Sequence, residues 1–219
     1  MPTPRLTQTQ VLRAAMDLAD AGGLEAVSMR RVAQELGVEA MSLYHHVASK
    51  EELLRGLVDL VVGEIEVARP GTEWKSGLRR MAMSARDALV RHPWAAPLML
   101  SHSDRSTARL RYMESMLATL RQGGFSPELT DHAYHVLDSH VVGFSLWVAG
   151  MNLPAGEDLA ALAATFLEQL PVHQFPYVAE HVDHHLHPPA LQAKSSFEFG
   201  LDLLLEGLEA MRARDLASG

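Results

Sequence analysis

Apolar positions along this chain recur at steps of three and four residues, with no sustained alternation at steps of two. Val11, Ala15 and Leu18 fall on one helical face before Gly22-Gly23 supplies a stop. Ser28 is placed to cap a short helix through Leu36, which Gly37 ends, and a second short helix follows at 39–45. Ser49-Lys50-Glu51-Glu52 reads as a capping box opening a long helix, whose apolar stripe is Leu54, Leu57, Val58, Val61 and Ile65. Pro70-Gly71 breaks it. Further helices are expected over 72–91, 94–101 and 104–122, punctuated by Pro93 and Gly123-Gly124. Ser126-Pro127 is a cap followed by proline at the first helical position, opening a helix to Met151. Pro154, Pro171 and Pro176 bound shorter pieces, and Pro188-Pro189 precedes a last helix running to Arg214. There is a single isoleucine and no Asn-Gly or Asp-Gly hairpin turn, so strands are not expected. The pattern predicts an all-α chain: a small three-helix domain over 1–50 and a larger helical domain over 51–219.

Within the small domain, residues 28–50 read SMRRVAQELGVEAMSLYHHVASK. Two short helices flank Leu36-Gly37-Val38, where Gly37 supplies a left-handed turn. Val32, Ala33, Leu36, Val38 and Leu43 are placed to hold the pair together. That is a helix-turn-helix, whose second helix fits the major groove of roughly 12 Å width. A generic helical hairpin would carry the same glycine. The second helix favours the DNA reading: Glu39-Ala40-Met41-Ser42 puts small or flexible groups at the end that meets base edges. Tyr44, His45, His46 and Lys50 then set hydrogen-bond donors where the phosphate backbone runs.

Charge first opposes, then permits, a nucleic-acid partner. The net charge is −8, yet residues 1–50 hold five Lys/Arg against five Asp/Glu. The excess negative charge lies wholly after residue 50. Between Gln122 and Ala193 there is no Lys or Arg, while eight acidic residues and eight of the twelve histidines fall there. A neutral head on an acidic body suits a protein that meets DNA with one face and repels it elsewhere; an ordinary acidic protein has the same totals. The absence of cysteine excludes disulfides and thiolate metal sites. No apolar run approaches the ~20 residues that span a bilayer, and MPTPRLTQTQ lacks a signal peptide's apolar stretch. A cytoplasmic location is the expectation.

The stretch from Val11 to Leu54 resembles the DNA-binding domain of the tetracycline-repressor (TetR) family. The likeness runs through Ala14-Ala15, Leu18, Gly23, Ser28-Met29-Arg30, Val32-Ala33, Leu36-Gly37-Val38, Leu43-Tyr44, His46-Val47 and Lys50…Leu53-Leu54. Glu73-Trp74, Gly124-Phe125-Ser126, Gly143 and Phe197-Glu198-Phe199-Gly200-Leu201…Gly207-Leu208-Glu209 are similar to the C-terminal domain of tetracycline repressors proper. The resemblance implies that Arg30, Ala40, Met41, Ser42 and His46 face bases, and that Ser28, Tyr44 and Lys50 touch phosphate. Ala40 and Met41 cannot read bases by hydrogen bonds, so no relative's operator sequence carries over. Where tetracycline repressors hold the drug and its metal with polar residues, this chain has Glu66, Met81, Met99, Met116 and Trp147. Tetracycline–magnesium is therefore not the expected ligand.

A different effector is expected within 72–151, a region rich in methionine and aromatics. Met81, Met99, Met113, Met116, Tyr134 and Trp147 are its candidate contacts, since methionine adapts to varied apolar ligands. The same residues also serve as ordinary core. With no fixed cation over 122–193 and with Asp131 and Asp138 nearby, a neutral or cationic apolar molecule is favoured over a polyanion.

Dimerisation is expected along the last helix. Phe197, Leu201, Leu204, Leu208 and Met211 form a seam of coiled-coil spacing. Beside it run Ala193, Gly200 and Gly207, while Gly143 and Gly150 stand seven apart upstream. These stripes point to a four-helix bundle between two subunits, although burial within one subunit would place the same residues.

The main rival is a metal-dependent hydrolase, because His181, His184 and His185, near Asp183 and His187, fall at a spacing zinc accepts. No HExxH, GxSxG or glycine-rich phosphate loop accompanies them. A helical scaffold that binds only protein is a third reading, and it would need no base-reading helix. The reading adopted is a homodimeric, non-enzymatic repressor that needs no cofactor or metal. It binds a palindromic operator and is released when a small, mostly apolar molecule enters 72–151 and pushes the 50–67 helix.

Overall fold

The computed structural model describes residues 6–69, 71–101, 106–150, 159–186 and 195–218. Among them every regular element is helical. Helix α1 (Gln8–Gly22) opens on a capping box between Thr7 and Gln10, and its alanine-rich face, Val11, Ala14, Ala15 and Ala19, is buried. A 3₁₀ turn at Leu24–Ala26 leads to α2 (Met29–Glu35), where Ser28 accepts from the Arg31 N–H at 3.2 Å. Gly37, at φ 65°, makes the left-handed turn before α3 (Ala40–Leu43). Only four residues of the expected 39–45 helix are α-helical; Tyr44–His46 continue as a turn that leads to Val47.

Helix α4 (Lys50–Gly63) begins at Ser49, whose hydroxyl accepts from the Glu52 N–H. The reciprocal bond differs from a capping box: the Glu52 carboxylate takes the Ala48 N–H at 2.7 Å, one residue before the cap. The buried face is Leu53, Leu57, Val58, Val61 and Val62, with Leu54 only half-buried. The helix stops four residues short of the expected 67, yet Ile65 stays buried in the connector.

The body comprises α5 (Trp74–Arg91), α6 (Ala95–Ser101), α7 (Thr107–Gln122), α8 (Pro127–Gly150), α9 (Leu159–Gln169), α10 (Pro176–Leu186) and α11 (Ser196–Ser218). Helix α4 packs on α1 in the head and on α5, α6 and α7 in the body, so one apolar core runs from Val11 to Leu208. Helix α5 packs on α7, α8 and α11; α9 packs on α10. Trp74 meets Phe125 edge-on at 4.9 Å, and the Arg212 guanidinium lies over both rings while donating to the Gly123 carbonyl. Arg79 pairs with Asp202, tying α5 to α11. Pro70, Met151, Pro154, His187, Pro188, Pro189 and Ala193, which entered the sequence-based expectations, lie outside the described residues.

Candidate DNA-reading face and effector core

The head anchors its short helices by burying alternate groups of the loop–helix segment. Leu43 and Val47 are fully buried beside Val32 and Ala33, and the Val38 N–H donates to the Ala33 carbonyl at 2.9 Å. With those side chains inward, the outward set follows from helical geometry. Met41 is 71% exposed and Tyr44 45%, and Arg30, His45 and Lys50 are exposed. Ser28, Ala40, Ser42 and His46 are half-buried.

The chemistry left over at these groups suits a duplex. Ser28 uses a lone pair as the α2 cap, which leaves its hydroxyl hydrogen to donate to phosphate. Ser42 donates to the Glu39 carbonyl at 2.5 Å, which leaves its oxygen to accept. Met41 brings an apolar end suited to a thymine methyl and offers no direct base hydrogen bond. None of the eight residues expected to meet DNA is fully buried. His45, expected only as a donor to the DNA backbone, is exposed beside Tyr44.

The six candidate effector residues do not gather in one place. Met81, Met99 and Met116 are buried in the body's core. The Ser115 hydroxyl donates to the Met81 sulfur at 3.8 Å, joining α7 to α5. Tyr134 is half-buried and Met113 is 38% exposed. Trp147 is 60% exposed, packed on Phe144 at 5.8 Å, and lies on the outer surface of the subunit instead of in its interior. Periodicity cannot distinguish an inward face of α8 from one turned to a partner.

A polar corner that composition did not reveal lies between α7 and α8. Tyr112 is buried, and its hydroxyl has no hydrogen-bond partner among the described residues. Burial raises the pKa of Asp138, opposed by the charges of Arg109 and His135. Burial and the Asp138 charge raise both tyrosines, while Arg109 partly offsets the rise at Tyr134. Counting cations over 122–193 therefore missed one, because α7 carries Arg109 to this corner, where its Nη1 also donates to the Met99 carbonyl at 2.9 Å.

Open grooves of ligand size occur elsewhere on the body among the described residues. One, of about 670 Å³, runs between the α4–α5 connector and α7, past Val67, Leu110, Ser115 and Thr119. Another, of about 410 Å³, lies between the start of α8 and the end of α11. None of the six candidates lines either groove.

The expected dimer seam faces inward. Phe197, Leu201 and Leu208 are buried within the subunit, Leu204 is half-buried, and only Met211 is exposed. Phe197 stacks on His140 at 4.7 Å. A Cβ added at Gly200 would lie 2.7 Å from the His140 ring, so that glycine admits a neighbour within the same subunit. The outer face of α11 instead carries Phe199, 62% exposed, and Leu203, 56% exposed, with open space beside Gly207. On α8, Val136, Trp147 and Val148 are exposed, and nothing stands within 4 Å of a Cβ added at Gly143 or Gly150.

Of the histidine cluster, His181, Asp183 and His184 are exposed on α10, while His187 and the side chain of His185 lie outside the described residues. No trio of metal-ligating side chains comes together among the described residues.

Residues 11–57 match the family described as bacterial regulatory proteins, tetR family. Residues 68–212 match the tetracyclin repressor-like C-terminal domain. The HTH-type transcriptional repressor DrrR1 of Streptomyces coeruleorubidus is 32% identical over 229 residues, covering 97% of this chain and 81% of that protein. The crystal structure of apo ActR from Streptomyces coelicolor superposes with a TM-score of 0.76 at 30% identity, covering 97% of this chain and 99% of that one. A second structure holds ActR in complex with actinorhodin, with a TM-score of 0.73 at 30% identity over 95% and 99% of the two chains.

Proposed function

This chain belongs to the tetracycline-repressor (TetR) family of ligand-responsive transcriptional repressors, DNA-binding regulators rather than enzymes, and from that membership we propose how its parts work. Two copies bind a palindromic operator, each placing α3 in the major groove, and a small molecule entering the body lowers that affinity. The observation that carries the DNA role is the outward set Met41, Tyr44 and Lys50 around the buried anchors Leu43 and Val47.

In this reading Arg30, Ala40, Met41, Ser42 and His46 meet bases, and Ser28, Tyr44 and Lys50 hold phosphates. Ala40 and Met41 make specificity depend on apolar contacts and DNA shape more than on a hydrogen-bond code. The boundary at residue 50 separates the reading unit from the rest, with α4 serving both. The protein acts in the cytoplasm, where operator DNA is; no helix among the described residues is long and apolar enough to cross a membrane. The assay is selection of bound duplexes from a random pool, then fluorescence anisotropy at fixed salt. Arg30→Ala and Tyr44→Ala each weaken binding by about 1–3 kcal/mol, the worth of a good base or charged phosphate contact. Unchanged affinity in both variants refutes the assignment.

The effector is proposed to reach Met81, Met99, Met113, Met116 and Tyr134 from the polar corner at Tyr112 and Asp138. Trp147, on the outer surface, takes part only if the partner subunit closes over it. Arg109 opposite Asp138 gives that corner both signs of charge, which favours a neutral aromatic compound with hydroxyl or carbonyl groups over a bare cation or a polyanion. ActR, which is similar in fold and sequence, has been solved with actinorhodin. In a thermal-shift screen, neutral aromatic compounds raise Tm as ligands of the folded state do, and Met116→Ala abolishes the shift. Hits that are all polyanionic and insensitive to Met116→Ala overturn this choice.

A further inference from the structure

The head joins the body at a polar corner that the functions above leave unused. His92 ends α5 and is 6% exposed, as is Trp94 two residues on. The His92 Nδ1 lies 2.7 Å from Asp20 Oδ1, and the Trp94 indole N–H donates to the same oxygen at 2.6 Å. The other ring nitrogen, Nε2, lies 3.4 Å from Glu64 Oε2, to which Arg91 donates at 2.6 Å. The two rings meet edge-on at 5.8 Å. Asp20 belongs to α1 and Glu64 caps the end of α4. One short segment of the body, 91–94, thus grips both helices on which the head is mounted.

The chemistry of the grip is cooperative. His92 donates to both carboxylates only when both ring nitrogens carry hydrogen; a neutral ring satisfies one. Asp20 Oδ1 in turn accepts two donors, so its removal leaves two buried N–H groups short of a partner. Directly after the corner, α6 packs on α8 on one side and on α4 on the other. A shift of α8 or α6 therefore reaches α4 by contact and α1 through the grip.

We propose that Arg91, His92 and Trp94 form a coupling clamp that fixes the head's angle through Asp20 and Glu64 together. The head then turns as one unit, with α1 and α4 moving jointly, instead of α4 bending alone. This rests on the reading of the chain as a DNA-binding dimer. These are positioning residues, since none lies on the DNA-reading face.

The chain has no cysteine, so Asp17→Cys, exposed on α1, places one spin label on each head of the full-length dimer. Pulsed electron–electron resonance then reads the distance between heads, and anisotropy with the selected duplex reads affinity on unlabelled protein. Asp20→Ala broadens the inter-head distribution and weakens duplex binding by roughly tenfold, within the range for residues that carry coupling, while light scattering still shows a dimer. Asp20→Asn keeps an acceptor oxygen and restores a narrow distribution. A purely structural role would lower Tm in Asp20→Ala and leave the distribution narrow. That result, with parental affinity, overturns the clamp. Should Asp20→Ala fail to fold, Trp94→Phe removes one donor alone, and an unchanged distribution there overturns it equally. A parent protein with no inter-head distance refutes the dimeric reading itself, and the clamp falls with it.

Discussion

Leu43 and Met41 show how much a single position depends on its neighbours. They stand two apart in one short helix, one fully buried and the other 71% exposed. The outward set was legible from sequence because a helix fixes which positions share a face, and Gly37 fixes where that helix begins. Asp138 was not legible in the same way. Its burial depends on α7 crossing α8 at that level, and its counter-charge comes from Arg109, 29 positions earlier. Because burial outweighs that counter-charge, the folded state holds the Asp138 proton to higher pH than the unfolded chain does. Stability is then fully present below the ordinary aspartate pKa and falls as pH rises through the raised value. Asp138→Asn should raise Tm at neutral pH and lose that advantage below the ordinary aspartate pKa, as thermal melts across pH would show. An unaltered pH profile would mean that the carboxylate is solvated.

Among the elements, α11 departs most from its sequence pattern. The 4-3-4 spacing of Phe197, Leu201, Leu204 and Leu208 marks an apolar seam correctly, yet the seam packs against its own subunit. Spacing specifies a stripe and says nothing about which molecule covers it. The two glycines on this helix separate the cases. At Gly200 a side chain collides with His140, which is held by stacking on Phe197 and lies 3.0 Å through Nε2 from the Phe197 carbonyl. At Gly207 there is open space. Gly200→Leu should therefore destabilise the subunit by about 1–3 kcal/mol, as overpacking does, with the loss seen in circular-dichroism melts. Gly207→Leu should keep helicity and weaken self-association in light scattering. Equal loss of stability in both variants would show that Gly207 also packs internally.

Across the whole molecule, Phe199 and Leu203 of α11 and Trp147 and Val148 of α8 are large apolar side chains left exposed on two helices that pack on one another. Two subunits joined through these faces would bring two reading heads under one symmetry axis, as a palindrome with half-sites roughly 34–36 Å apart requires. The double variant Phe199→Glu/Leu203→Glu should sediment as a folded monomer and lose operator affinity, since one head alone reads one half-site. A dimer that survives both carboxylates places the interface elsewhere. The head's five Lys/Arg are balanced by five Asp/Glu, and linking two such heads would raise the effective concentration of the second once the first is bound.

The sequence by itself determined the helical class, most of the caps and turns between helices, and which side chains of the short helix after Gly37 turn outward. These are short-range matters: a capping serine, a left-handed glycine or an i, i+3, i+4 stripe acts within a turn or two of chain. Only the tertiary structure decided that the α11 seam is internal, that Trp147 is external, that Arg109 reaches Asp138, and that α1 and α4 meet at His92. Each of these depends on where elements distant in sequence cross. Burial, counter-charge and hydrogen-bond partners exist there only once the helices are packed.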